Sequence, residues 1–377
     1  MLTTRLNEEC FCFELCDRPD LVAPHPVFLD INLRRKLETA IENIGTALNE
    51  MRRRSSLIEA AAIYNSFDFH LTDSGPKLIE INVNAGGLFL QEAIQALLLQ
   101  SNPACLDMLN VEPDLQATDT LLKAWPILSG GTPLKRIAIV DDQISDQPLI
   151  TDMEAARDQI RAHGIACDLL DLDALKIDGN SLLGPHGQID MVYNRSTDFE
   201  FTSPATTILR QAFEQNLAVI APNPEVYRTY ADKQLLLDLA QKKEVDGSAL
   251  DSVLKAEKLT PDNAGALWEQ RKSLVFKPMQ GFGSKGVYRG DKISKTRWSE
   301  IISSHYMAQE LAIPSGRRLP TSNGLSGFKA DIRVWTHGIR PLHMAARLFS
   351  GQVMGMRQES EGFAPIIWTK GDGNAPC

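Results

Sequence analysis

The chain has 377 residues, 43% of them hydrophobic and 23% charged, an ordinary globular composition at a length that suits two or three domains. Its 39 basic and 48 acidic residues leave a formal net charge of −9, which excludes a global basic field for nucleic acid or acidic lipid; any phosphate ligand must be met by local Lys and Arg clusters. No run reaches the roughly 18 apolar residues of a membrane span, and MLTTRLNEEC lacks the basic-then-apolar pattern of a secretion signal, so a cytoplasmic protein is expected.

Cys10, Cys12 and Cys16 are spaced C-x-C-x3-C. A tetrahedral metal site would need a further Cys/His pair nearby, and His25 stands alone. Phe11, Phe13 and Leu15 alternate through the same stretch, so these cysteines read as small hydrophobes in a strand. From about Leu33 to Ala62 apolar residues recur at three- and four-residue steps, the pattern of a helix. SFDFHLTDSGPKLIEINVNAGG, residues 66–87, reads as a hairpin turning at Asp73–Pro76, and FLQEAIQALLLQ behind it as a helix. Residues 101–134, with Pro103, Pro113 and Pro126, look like a connecting segment with some helix in it.

A second unit begins at Lys135. KRIAIVDD is a buried strand and MEAARDQIRAHG a helix closed by Gly164. CDLLDLDAL, IDMVYN and LAVIAPN are further short strands, with helical stretches such as ATTILRQAFEQN between them. This alternation predicts a parallel sheet with helices on its faces over 135–225. Further on, RRLPTSNGLSG (317–327) reads as a mobile polar loop.

Four segments carry chemistry. In 66–87, Asp68, Glu80 and Asn82 stand at even separations. Glu80 and Asn82 therefore share one strand face, with Asp68 opposite them if the hairpin register allows, while Ile79 and Ile81 point to a core. Three oxygen ligands on one side suit Mg²⁺; the plainer reading is an exposed polar strand face. SLVFKPMQGFGSKGVYRG (273–290) ends a strand at Lys277 and passes through Gly281, Gly283, Ser284 and Gly286, glycines that permit close approach to a polyphosphate. It is neither a Walker A loop nor a Rossmann fingerprint, and alone it is nearly as well read as a glycine-rich hairpin. HYMAQELAIP (305–314) carries Gln309, Glu310 and Leu311, which would offer backbone groups to an adenine edge or form a plain edge strand. FKADIRVWTHGIRPLHMAARLF (328–349) places Asp331, Arg333 and Arg347 within otherwise apolar strands. There they must be paired, face a polar cleft, or lie on a solvated sheet face.

Together these segments resemble the ATP-grasp superfamily, over roughly residues 30–90 and 135–370. By that resemblance Lys233, in YADKQLLLDLA, and Lys277 are nucleotide-contacting lysines, and Gly281, Gly283, Ser284 and Gly286 belong to the phosphate loop. Gln309, Glu310 and Leu311 are the adenine hinge, Arg333 and Arg347 the catalytic arginines, and Asp68, Glu80 and Asn82 the metal ligands. The usual family order ends with the D…E-x-N motif; here that motif comes first, which looks like a circular permutation. The expected fold is α/β, becoming α+β in the lid and catalytic sheet. Residues 1–125 are the displaced C-terminal part of the catalytic subdomain, 126–225 a pre-ATP-grasp α/β domain, 226–312 the lid, and 313–377 the first part of the catalytic subdomain. The glutathionylspermidine-synthase-like and other permuted groups are similar, although GMRQESEGF (355–363) replaces an Asn-rich stretch found in many members.

The resemblance implies an ADP-forming carboxylate–amine ligase that uses ATP with Mg²⁺, or Mn²⁺, and works through an acylphosphate. Its partners would be small-molecule or peptide carboxylates and amines. A kinase on the same fold and a non-catalytic nucleotide-binding module are the alternatives. Asn194, Arg195 and Ser196, just after IDMVYN, sit where α/β sheets place ligands, and with Asn84 they are the candidate substrate residues. Such ligases are frequently dimers; no residue here specifies an interface.

Overall fold

The computed structural model describes residues 2–7, 10–15, 21–52, 55–101, 116–280, 285–321, 324–351 and 361–369. Val27–Asp30 is a short strand whose last residue caps the first long helix, Ile31–Met51, its carboxylate accepting from the Asn32 N–H at 2.7 Å. Leu37, Ile41, Ile44 and Leu48 recur along one buried side of that helix, the stripe that binds a helix to a sheet. The helix does not run on to Ala62 as its apolar periodicity suggests. Arg52 is extended, and Ser55 starts a separate helix, Ser56–Ala61, by accepting from the Ile58 N–H at 3.2 Å. The apolar steps continue across this break, whereas the capping serine marks it.

The principal sheet has seven strands. Its order is Val27–Asp30, Gly362–Thr369, Arg340–Phe349, Gly324–His337, Asn65–Thr72, Gly75–Asn82, with Gly316–Thr321 also paired to Gly324–His337. Both ends of the described chain build it: Arg333 stands opposite Asp68 on antiparallel strands, and Ile366 opposite Val27 on parallel ones. RRLPTSNGLSG is part of a hairpin rather than a loop, with Arg317 opposite Phe328 and Leu319 opposite Ser326. Extending the strand pair gives its backbone groups partners that a loop would seek in water.

The hairpin expected at 66–87 forms, with a bulge. Asp68 opposes Glu80 but Phe69 opposes Leu78, so Ile79 is the extra residue. This shifts the faces: Leu78 and Ile81 are buried and Ile79 is only half-buried, because an inserted residue changes the alternation of everything before it.

A second sheet is wholly parallel, ordered Val219–Ala221, Met191–Asn194, Arg136–Asp141, Ala166–Asp171. Ile137, Ile139 and Tyr193 face the main core, while Ala138, Val140 and Val192 pack with Leu209 and Ala212 of the helix Thr207–Glu214. Burial on both faces accounts for the continuous apolar runs in its sequence. A third, antiparallel sheet runs Ala256–Lys258, Tyr306–Glu310, Leu274–Pro278, Tyr288–Arg289, with its own core around Phe276, Trp298 and Ile301. Cys10 and Cys12 lie in a strand paired with Leu2–Asn7, and Cys16 lies outside the described residues. Among the described residues no helix is long and apolar enough to cross a membrane.

Candidate active site

The antiparallel sheet meets the principal sheet at the bulge. Lys277, near the end of Leu274–Pro278, donates from Nζ to the Ile79 carbonyl at 2.8 Å. Lys277 is 5% exposed. Burial pushes its ammonium down to about 8, Lys233 adds to this, and the Glu80 carboxylate pulls the other way. Lys233 sits at the N-terminus of the helix Gln234–Asp246; burial lowers it too, again with Glu80 opposing. Glu80, Asn82, Lys233, Lys277 and Lys285 line one pocket, so two segments far apart in sequence and a third lysine converge there. Lys285 escaped the sequence reading; its place between Ser284 and Gly286 in the glycine-rich segment was the available signal.

Behind the pocket lies a buried charge network. Arg333 grips Asp68 with two bonds, Nε to Oδ1 at 2.8 Å and Nη2 to Oδ2 at 2.6 Å. Arg347 grips Asp331 in the same way, at 2.8 and 2.7 Å, and its Nη2 also reaches Asp68 Oδ2 at 2.8 Å. Such forked pairs are the strong form of the ion pair, and two carboxylates matched to two guanidiniums make burial of all four tolerable. Burial alone would raise the Asp68 carboxyl; Arg333 and Arg347 more than offset this and hold it well below the usual carboxylate range.

Asn82 ties the metal motif together, its Nδ2 donating to Asp68 Oδ2 at 3.2 Å and to Glu80 Oε1 at 3.3 Å. Asp68 faces Glu80 and Asn82 across the hairpin as expected, and both its oxygens are already engaged. Oδ1 accepts from Arg333 and Ser66, and Oδ2 from Arg333, Arg347 and Asn82, so a direct metal bond would require a guanidinium to let go. Among the described residues no group of three His, Cys, Asp or Glu is placed to hold a metal ion. The hard-oxygen donors that remain on the pocket wall are Glu80 and Asn82, a set that fits a cation otherwise held by phosphates and water.

Of the expected phosphate loop, Gly281, Gly283 and Ser284 lie outside the described residues. Gly286 has φ +72° and its carbonyl accepts from the Tyr306 hydroxyl at 3.1 Å. In the expected hinge, Gln309 is buried within the antiparallel sheet. The N–H groups of Glu310 and Leu311 are bonded to the carbonyls of Lys255 and Ser273, each at 2.8 Å, so those two donors are used within the sheet. The next carbonyl, of Ala312, is bonded to Nδ1 of His70 at 2.6 Å. Burial lowers His70 from its ordinary value; Nδ1 is the donor here, because a carbonyl only accepts.

The candidate substrate residues also come together. Asn84 Nδ2 donates to the carbonyls of Arg195 at 2.6 Å and Ser196 at 3.0 Å, and its Oδ1 accepts from Arg195 Nη1. Asn194 accepts from the Ser196 N–H at 3.0 Å. Gly86 lies between this cluster and the charge network: its carbonyl accepts from Arg333 Nη1 at 3.3 Å, and an added Cβ would stand 2.7 Å from Arg195 Nη2.

No family model matches the chain, and no curated relative matches it. Solved structures do. A candidate gamma-glutamylcysteine synthetase from Methylobacillus flagellatus KT superposes with a TM-score of 0.54 at 9% identity, over 90% of this chain and 89% of that one. Lower similarity is found to the ATP-grasp ligase PsnB complexed with minimal precursor, Mg and ADP (TM-score 0.33, 12% identity, 62% and 88% covered). It is found also to the D-cycloserine synthetase DcsG (TM-score 0.34, 15% identity, 57% and 75% covered). This chain shares the fold of the Methylobacillus flagellatus protein.

Proposed function

We propose that this chain is an ATP- and Mg²⁺-dependent ligase that joins a carboxylate to an amine, or a similar nucleophile, through an acylphosphate. The observation that carries this reading is the meeting of Lys277 with the Ile79 bulge beside Glu80 and Asn82. It puts phosphate-binding cations and oxygen ligands in one pocket. We read the chain as permuted, with 1–125 and 313–377 completing one catalytic subdomain around the pre-ATP-grasp domain at 126–225 and the lid at 226–312. The principal sheet supports this by drawing its strands from both terminal regions.

In this mechanism Lys233, Lys277 and Lys285 neutralise the triphosphate, and Gly286 with its neighbours closes over it. The Gln309–Leu311 segment borders the base. Glu80 and Asn82 would hold Mg²⁺, which would supply positive charge to offset that of the phosphates. Asp68 stands behind them and keeps Arg333 and Arg347 aligned. A substrate carboxylate oxygen attacks the γ-phosphorus, the bond to the β-phosphate oxygen breaks, and ADP leaves. The amine then attacks the acyl carbon, the acyl–oxygen bond breaks with departure of phosphate, and the amine proton goes to solvent. Arg333 and Arg347, fixed behind the pocket by Asp68 and Asp331, would supply positive charge to the transferring group without reorganisation. Asn84, Asn194, Arg195 and Ser196 form the acceptor side.

Product analysis tests the reaction class. A ligase releases ADP and free phosphate when both a carboxylate and an amine are supplied; a phosphorylated product that accumulates with a single substrate would replace the ligase with a kinase.

A further inference from the structure

Two aromatic rings in the nucleotide pocket have no part in the mechanism above. Phe199, from the segment following Met191–Asn194, and Tyr227, from the helix Pro224–Tyr230, stack with centroids 4.8 Å apart and planes 8° from parallel. Both are half-buried, and both line the pocket with Glu80, Asn82, Lys233 and Lys277. None of Gln309, Glu310 and Leu311 is among the described lining residues. Lys233, Lys277 and Lys285 line the same pocket, which puts the rings beside the cations read above as phosphate-binding.

The segment that carries Phe199 is held on both sides. Asn84 fixes the carbonyls of Arg195 and Ser196. Asp198 accepts from the Ser203 N–H at 2.7 Å and from the Thr206 hydroxyl. Glu200 pairs with Arg228, Nε to Oε1 at 3.0 Å, which ties the segment to the helix of Tyr227. Phe201 is buried with φ +52°, a backbone that a phenylalanine keeps only where its surroundings over-determine it. A loop built this firmly presents a hydrocarbon face to a pocket that also holds Glu80, Lys233, Lys277 and Lys285 among apolar neighbours such as Ile81 and Leu236. A phenyl ring has nothing to offer a phosphate, but it takes up space that water would otherwise fill.

We propose that the Phe199–Tyr227 stack is the water-excluding wall at the γ-phosphate end, and that it couples ATP cleavage to acceptor modification. This rests on the ligase reading. Without the wall, a water oxygen attacks the γ-phosphorus, the bond to the β-phosphate oxygen breaks, and ADP and phosphate form with no acceptor consumed. The experiment measures phosphate release from Mg·ATP without acceptor, together with Mg·ATP affinity by calorimetry, for wild type and for the Phe199→Ala, Phe199→Leu, Tyr227→Ala and Tyr227→Phe variants. Both alanine variants are expected to raise idle hydrolysis about tenfold while affinity stays within about threefold. Phe199→Leu should fall between wild type and alanine, and Tyr227→Phe, which keeps the stack, should match wild type. Idle hydrolysis unchanged in folded Phe199→Ala and Phe199→Leu, with binding intact, overturns the wall and leaves the ligase reading standing. A loss of affinity beyond tenfold with no rise in hydrolysis also overturns it, since the rings would then be supporting the nucleotide. Failure of the wild type to bind Mg·ATP overturns the ligase reading, and the wall with it.

Discussion

Arg333 holds Asp68 through two parallel hydrogen bonds, 2.8 and 2.6 Å long, across 265 positions of sequence. Both partners are buried, and Arg347 leans on the same carboxylate. Asp68→Asn removes the anion and leaves two guanidiniums facing one carboxylate, Asp331. Breaking one side of a buried pair costs about 3 kcal/mol or more, so urea denaturation should show a loss of at least that size. A loss below about 0.5 kcal/mol, in the range of ordinary surface substitutions, would show that the network is not held together by Asp68.

Lys277 gives the site a pH dependence. Burial brings its ammonium down to about 8, with Lys233 acting in the same sense and Glu80 and Asp68 against it. Below that value it is charged and attracts phosphate; above it, it is neutral. Affinity for Mg·ATP should therefore fall by about tenfold between pH 7 and pH 9. Lys277→Arg stays charged throughout this range and should flatten the curve. A wild-type affinity that does not change over this range would remove Lys277 from phosphate binding.

Glu92, in the helix Leu88–Ser101, accepts from the Ala117 N–H at 2.7 Å. Burial is the main cause that raises its carboxyl to about 7, with Asp152 and Asp119 adding to it. The folded chain thus binds more protons here than the unfolded chain between the ordinary carboxylate value and about 7. Its contribution is present at low pH and is lost as pH rises through that window. Glu92→Gln keeps an acceptor for Ala117 without a charge to bury. At pH 8 it should be more stable than wild type by about 1 kcal/mol, with the gain vanishing near pH 4.5. Equal stability of the two proteins at pH 8 would contradict this.

Gly87 has φ +98°, and a Cβ there would lie 2.3 Å from Cζ of the buried Phe363 ring. Gly87→Ala combines backbone strain with overpacking, and thermal unfolding should report a loss of about 2 kcal/mol or more. A melting temperature unchanged from wild type would mean that the 83–88 turn and Phe363 move apart easily.

The parallel sheet at 135–225 was legible because each strand is buried on two faces, which leaves a continuous apolar run between helices. The Glu80–Asn82 spacing and Lys277 at a strand end were legible because an alternation of two and a strand-to-glycine transition are local signals. What the sequence concealed is mostly non-local. Nothing near Asp68 announces that Arg333 will take both its oxygens. The bulge at Ile79 is one residue of register, decided by pairing across the hairpin, and it turned the expected core position of Ile79 into a half-buried one. The strands within 317–327 are hidden because Pro320 and the polar, glycine-containing composition of the segment are loop signals. Ser55, by contrast, was a readable cap overlooked in favour of uninterrupted periodicity.

The central claim is that Lys277 and the Glu80–Asn82 motif serve one nucleotide site. Calorimetric titration of Mg·ATP into wild type, Lys277→Ala and Glu80→Gln tests it most directly. The expected result is tight binding by wild type and at least tenfold weaker binding by each variant, with both variants folded. Binding by both variants as tight as wild type, or no binding by wild type, would contradict the claim.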